Sequence, residues 1–295
     1  MFKASHVCGL FFVIFFLFAI VTHAFAGHGG ERPAKKGILL VAFGTTVPEA
    51  RAALDNIDAQ AKARFPGLEV RWAYSSRIVR QKLAGQGLQF DSPAMALARM
   101  MDDGFTHVAV QSLQTIPGEE FHGLQKTVAA FSGLPKGMDT VTLGLPLLAE
   151  PADVGACAKA VMASLPPDRK KNEAVILMGH GTHHPANIYY PGLQYSLSRL
   201  DPLVLVGTVE GTPSLDDVRA TLKERKVKKA WLQPLMAVSG DHAVNDMAGD
   251  GDDSWKSVLT ADGVACEAVL RGTAEIPAFV DIWLDHLQAA VERLN

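Results

Sequence analysis

The chain reads as an α/β protein of two similar domains, each a parallel sheet flanked by helices, with a cleft between them. Three observations predict this. Short apolar runs alternate with longer stretches of helical period, the pattern of βαβ units. The series runs twice, on either side of a boundary near residues 145–172. Two segments of the first series also return in the same order in the second. Gln111-Ser-Leu-Gln-Thr-Ile-Pro-Gly118-Glu119-Glu120 aligns without a gap against Gln233-Pro-Leu-Met-Ala-Val-Ser-Gly240-Asp241-His242. Val-Ala-Phe-Gly44-Thr45-Thr46 closes its strand as Leu-Met-Gly-His180-Gly181-Thr182 does. A duplicated open sheet puts both sets of strand ends along one cleft.

Before the first series, Lys3 precedes an apolar run from Val7 to Val21 that gives way to Ala24-Phe25-Ala26. A short apolar core followed by an A-x-A pattern predicts a cleavable secretory signal peptide over 1–26 and a periplasmic protein. Residues 27–36, rich in glycine, are expected to be a flexible mature N-terminus, His28 included. The first domain then covers 37–150. Its strands are expected at 37–43, 69–74, 106–111 and 140–143, with helices from Val47 or Pro48 to Arg64 and over 77–83, 93–101 and 119–131. The second domain covers 151–295. Helix 151–163 and a polar connection at 166–172 lead to strands at 174–178, 203–206, 230–235 and 264–269. Helices are expected over 188–199, 214–224, 254–261 and 277–294, and the last of these can pack on either half. Pro and Gly flank these elements rather than interrupt them.

Composition excludes several classes. With 28 Lys plus Arg against 31 Asp plus Glu and no concentrated basic patch, there is no electrostatic footprint for nucleic acid. No segment after the signal peptide is long and apolar enough to span a membrane, so the processed chain is not expected to be an integral membrane protein. Cys157 and Cys266 are too few and too far apart for a disulfide-built scaffold, and are left to pair or stay free. Phe43-Gly-Thr-Thr46 lacks the Lys of a P-loop, and no G-x-G-x-x-G follows a strand, so no ATP or other nucleotide is expected.

The densest polar cluster is Gly179-His180-Gly181-Thr182-His183-His184, directly after an apolar strand. Either these histidines form a site, or one bonds the backbone while the others are solvated; spacing does not say which points inward. Glu210 follows the next strand and His242 the one after that. Two imidazoles and a carboxylate beyond successive strands suit a borderline divalent ion such as Co²⁺, Fe²⁺, Ni²⁺ or Zn²⁺. The plainer reading makes Glu210 and His242 helix caps.

These segments, together with Val209-Glu-Gly-Thr212 and the run from Gln111 to Phe121, make residues 35–295 resemble the anaerobic cobalt chelatases of cobalamin biosynthesis, in the class II chelatase superfamily. The resemblance implies two α/β domains around an active-site cleft for a tetrapyrrole, and ATP-independent insertion of Co²⁺ into sirohydrochlorin with release of two protons. It also implies His180, Glu210 and His242 as metal ligands, the two histidines doubling as proton acceptors. Insertion of Fe²⁺ to give sirohaem is the enzymatic alternative. Arg77, Arg80 and Lys82 are candidates for the ring carboxylates, and Tyr74, Ser75 and Ser76 for the first-domain wall. Two features depart from the family: the signal peptide, and His122, which is either a solvated helix residue or an axial ligand to a b-type haem in a homo-oligomer. A periplasmic haem or metal carrier is therefore the reading from a different class.

Overall fold

Each half builds a four-stranded parallel sheet, because strands apolar on both faces need cover on both. The first half supplies β1 (Lys36–Ala42), β2 (Glu69–Tyr74), β3 (His107–Ser112) and β4 (Thr140–Gly144), in the order β2-β1-β3-β4. The second supplies β5 (Ala174–Gly181), β6 (Val204–Glu210), β7 (Lys229–Pro234) and β8 (Ala265–Ala268), in the order β6-β5-β7-β8. The two orders are one pattern used twice, so the echo in the sequence is a repeat of topology. The structure is a computed structural model that describes residues 32–295. The expected signal peptide, His28 and the N-terminal segment as far as Glu31 lie outside the described residues. Ala34–Asn295 form one compact unit.

Nine α-helices are seen among the described residues: α1 (Arg51–Arg64), α2 (Arg77–Ala84), α3 (Pro93–Asp102), α4 (Glu119–Phe131), α5 (Pro151–Ala163), α6 (Tyr189–Ser198), α7 (Leu215–Glu224), α8 (Trp255–Ala261) and α9 (Pro277–Glu292). Serine hydroxyls start several of them: Ser76, Ser92, Ser214 and Ser254 each accept a backbone N–H of the first turn. Helix α1 begins three residues after Pro48, because the chain first closes tight turns from Arg51 N to Pro48 O and from Ala52 N to Glu49 O.

The pleat sorts each strand between two cores. In β1, Ile38, Leu40 and Ala42 enter a core shared by both sheets, whereas Leu39 and Val41 face the outer core of the first sheet. In β5, Val175 and Leu177 join the shared core, while Ile176 and Met178 face the outer core of the second. Helices α5, α6 and α9 fill the shared layer with Cys157, Tyr190, Phe279 and a fully buried Trp283. The final helix thus turns back onto β3 and β4 of the first half and packs beside α5. Its Trp283 N–H donates to the Gln114 carbonyl at 3.3 Å. Cys157 and Cys266 are both free thiols. Among the described residues no helix is long and apolar enough to cross a membrane.

Candidate metal centre

His180 is the penultimate residue of β5, inside the strand rather than beyond it. The strand runs past its expected end because β6 pairs with it as far as Gly181 opposite Glu210. Gly181 has φ +77°, and a Cβ there would stand 1.5 Å from the Glu210 carbonyl oxygen, so the position admits only glycine. On the other side, a Cβ on Gly179 would lie 2.4 Å from the Tyr190 ring. Burial pushes the Tyr190 hydroxyl up to about 12, and the backbone amides of Gly181 and His180 bond to it. The main chain of His180 is held on both flanks while its side chain stays exposed.

His242 opens a π-helical turn, His242–Met247, instead of merely capping a helix. Such turns are rare and frequent at functional sites. Ala243 and Met247, both fully buried, pin the turn into the outer core of the second sheet. The rings of His180 and His242 meet edge to face, with centroids 4.8 Å apart and planes at 82°. Nδ1 of His180 lies 3.0 Å from the Gly181 carbonyl oxygen, and Nδ1 of His242 lies 2.5 Å from Asp246 Oδ2. A carbonyl and a carboxylate can only accept, so both Nδ1 atoms donate, and in the neutral rings both Nε2 atoms keep a lone pair. Two adjacent imidazole nitrogens of this kind are donors that suit a borderline divalent ion.

Glu210 is the last residue of β6. It is exposed and in register with Gly181, so the pleat sends it to the face opposite His180. Among the described residues no three His, Cys, Asp or Glu side chains gather into a group that holds an ion. The structure therefore brings His180 and His242 together and leaves Glu210 beside them on the next strand. Asn187 ties the two strand exits: its Oδ1 accepts Thr182 N–H at 3.1 Å and its Nδ2 donates to Thr212 O at 2.7 Å.

The other candidates separate by their bonds. His184 accepts the Ala186 N–H at Nδ1, 3.1 Å away, capping the 3₁₀ turn Pro185–Ile188, so its neutral ring presents an N–H at Nε2 rather than a lone pair. His183 is exposed. His122 is exposed on α4, its ring 4.9 Å from that of His184. Arg80 donates to the carbonyls of Tyr74 and Ser75 and is not free for a ring carboxylate, whereas Arg77 and Lys82 are exposed. Tyr74 does not line the cleft: it is 3 % exposed and stacked on Phe90 at 4.2 Å, because its ring covers Gly44. Ser76 serves as the cap of α2, and the Ser75 hydroxyl is buried without a partner.

The repeat locates this centre within the fold. Leu40 pairs with Gln111 and Leu177 with Gln233, so aligning the two glutamines equates Phe43 with His180 and Gly44 with Gly181. Gly44 and Gly181 share a positive φ, which confirms this register and shifts the match made from sequence by one residue. Glu120 then stands where the second half has His242. Phe43, 51 % exposed, is the apolar counterpart of His180. The two halves touch here: Thr115 donates to the Leu235 carbonyl at 3.4 Å, and a Cβ on Gly240 would lie 3.4 Å from Thr45 Oγ1. Sequence reasoning missed Asp246, although the H-x-x-x-D spacing from His242 was open to view.

Comparison with known proteins agrees with this architecture. The family described as cobalt chelatase (CbiK) matches residues 36–292. A sirohydrochlorin cobaltochelatase, CbiKC, of Nitratidesulfovibrio vulgaris strain Hildenborough is 48% identical over 261 residues, covering 88% of this chain and 92% of the relative. The sirohydrochlorin cobaltochelatase of Salmonella typhimurium strain LT2 is 33% identical over 259 residues, covering 87% of this chain and 97% of its own. Among solved structures, Bacillus subtilis SirB with Fe³⁺ superposes with a TM-score of 0.58 at 16% identity, covering 87% of this chain and 95% of that one. That likeness shows the chelatase fold.

Proposed function

The chain belongs to the cobalt chelatase (CbiK) family, and from that premise we propose that it inserts Co²⁺ into sirohydrochlorin without a nucleotide. The observation that carries the reading is the edge-to-face pair His180 and His242, each with Nδ1 on an accept-only oxygen and Nε2 free. Two pyrrolic protons must leave as the ion enters, and a neutral imidazole is both a ligand and a base near neutral pH. One lone pair cannot hold the ion and a proton at once. The two rings therefore divide the work, one binding while the other accepts, and exchange roles for the second proton. Glu210, on the adjoining strand end, turns toward the ion when it arrives and completes the donor set. Arg77 and Lys82, exposed at α2, meet the ring carboxylates.

The test is anaerobic insertion into sirohydrochlorin followed by absorbance, with Co²⁺ and Fe²⁺ compared and His180→Ala as control. Turnover above the uncatalysed rate that the substitution removes supports the chelatase, and the ratio of the two rates ranks the metals. Turnover that survives His180→Ala sinks the site assignment.

The apolar N-terminal run and its A-x-A ending support export to the periplasm, read by sequencing the N-terminus of protein from the periplasmic fraction; a start at Gly27 is expected. His122 supports the reading in which copies of the chain share a b-type haem, since its ring is exposed on α4 and takes no part in the His180 pair. Protein purified from its own cells then carries porphyrin absorbance that His122→Ala removes and His180→Ala leaves.

A further inference from the structure

Of the two paired imidazoles, His180 is oriented by the backbone, but His242 is oriented by a side chain. We propose that Asp246 is a positioning residue for the metal centre: its carboxylate fixes the Nδ1–H tautomer of His242, so that Nε2 presents its lone pair beside His180. This rests on the reading of His242 as a ligand.

The argument begins with the turn. His242 and Asp246 are four residues apart on the π-helical turn, and the buried side chains of Ala243 and Met247 anchor its inner face. His242 and Asp246 are left on the outer side, half-exposed, with Nδ1 and Oδ2 2.5 Å apart. A neutral imidazole in water exchanges its proton between the two nitrogens, and only one tautomer leaves Nε2 able to bind an ion. An accept-only partner at Nδ1 selects that tautomer and fixes the plane of the ring, as carboxylates behind metal-binding histidines do. The neighbouring acid, Asp241, is occupied elsewhere, accepting from Asn245 Nδ2 at 2.9 Å. Among the described residues, Asp246 is the side chain bonded to His242 Nδ1. At His180 the same task falls to the Gly181 carbonyl, which no substitution removes.

The experiment uses the full chain with Co²⁺ alone, without macrocycle. Co²⁺ affinity is read from the visible absorption of the bound ion, and the tautomer of His242 from ¹⁵N chemical shifts of the imidazole in the metal-free protein. Asp246→Ala is expected to weaken Co²⁺ binding about ten- to hundredfold, the usual effect of losing such a partner. Asp246→Asn, whose amide can also donate, is expected to admit the Nε2–H tautomer and weaken binding as well. Neither change should shift the melting temperature much, because the Asp246 side chain is 44% exposed. In turnover with sirohydrochlorin, kcat/KM for the metal falls while KM for the macrocycle stays. Wild-type affinity together with an unchanged Nδ1–H tautomer in Asp246→Ala overturns the proposal. If His242→Ala also binds Co²⁺ as the wild type does, the assignment of His242 as a ligand falls with it; if His242→Ala loses the ion and Asp246→Ala does not, only the role of Asp246 falls.

Discussion

Replacing Gly181 with alanine tests whether the exit of β5 sets the position of Glu210. The residue sits at φ +77°, a region that costs an L-residue with a Cβ about 1–2 kcal/mol. The new methyl group would also stand 1.5 Å from Glu210 O, 2.5 Å from its carbonyl carbon and 2.7 Å from Thr208 Cβ. Two of these three neighbours are main chain, so no rotamer change relieves the clash. Overpacking of this kind costs about 1–3 kcal/mol more. The sum, roughly 2–5 kcal/mol, lowers the melting temperature by about 2–4 °C for each kcal/mol in a chain approaching this size. To reach ordinary contact, the Glu210 backbone must retreat by more than 1 Å, and misplacement on that scale can cost about 10²-fold in rate. The assay is thermal unfolding beside Co²⁺ insertion, with Gly44→Ala as the matched control. That position has φ +98° and meets the buried Tyr74 ring at 2.6 Å, so its strain is similar but lies away from Glu210. Gly181→Ala should lose about a hundredfold in kcat/KM, and Gly44→Ala much less at a comparable loss of stability. A Gly181→Ala protein with wild-type melting and turnover, or equal catalytic losses in the two variants, would refute the reasoning.

Three further expectations follow from the same structure. Asn187→Ala removes the bonds to Thr182 N and Thr212 O and should cost about 0.5–1.5 kcal/mol, since water reaches the groups left behind; a melting temperature unchanged from wild type contradicts it. Phe43→Ala should raise KM for sirohydrochlorin about two- to tenfold, the equivalent of about 0.5–1.5 kcal/mol of ring contact, with Co²⁺ affinity intact; a loss confined to metal binding contradicts it. The buried pair of His286 Nε2 and Asp153 Oδ1, 3.2 Å apart, should give stability a pH dependence. Burial lowers the His286 pKa, but the bond to Asp153, its charge and the Leu145 carbonyl together raise it above the ordinary 6.5. Burial raises that of Asp153, but His286 and the Ala149 and Glu150 amides hold it below the ordinary 3.8. The imidazole's contribution is complete below 6.5 and fades as pH rises through its raised value. The carboxylate's contribution is complete above 3.8 and fades as pH falls through its lowered value. Denaturant unfolding should therefore show the pair at full strength between those two ordinary values, and His286→Leu should lower stability there and remove the decline seen as pH rises above 6.5.

Much of the architecture was legible because buried parallel strands announce themselves as apolar runs, and because the chain repeats itself. The runs at 37–43, 69–74 and 174–178 became β1, β2 and the body of β5. What periodicity could not carry was the end of each strand. β5 and β6 run on to Gly181 and Glu210 because they pair with each other, and polar residues at a strand end look like loop when read alone. The three histidines of 180–184 could not be ranked from spacing. Their ranking depends on what lies at Nδ1: a carbonyl for His180 and a helical N–H for His184. Asp246 escaped notice because a π-helical turn leaves no signature in composition. The choice of α9 for the first half depends on the surface offered by β3 and β4, which its own apolar stripe does not encode.

The repeat is unequal where it matters. Phe43 and Glu120 occupy the places that His180 and His242 hold in the other half. Four imidazoles in these equivalent places would supply the donor number of a tetrahedral shell, the closed coordination of a structural site that keeps its metal. With the two imidazoles on one wall alone, an ion held as proposed is grasped from one side and keeps its other positions open to an incoming ring. On the proposed assignment, the inequality of the copies suits a place of handover rather than of storage.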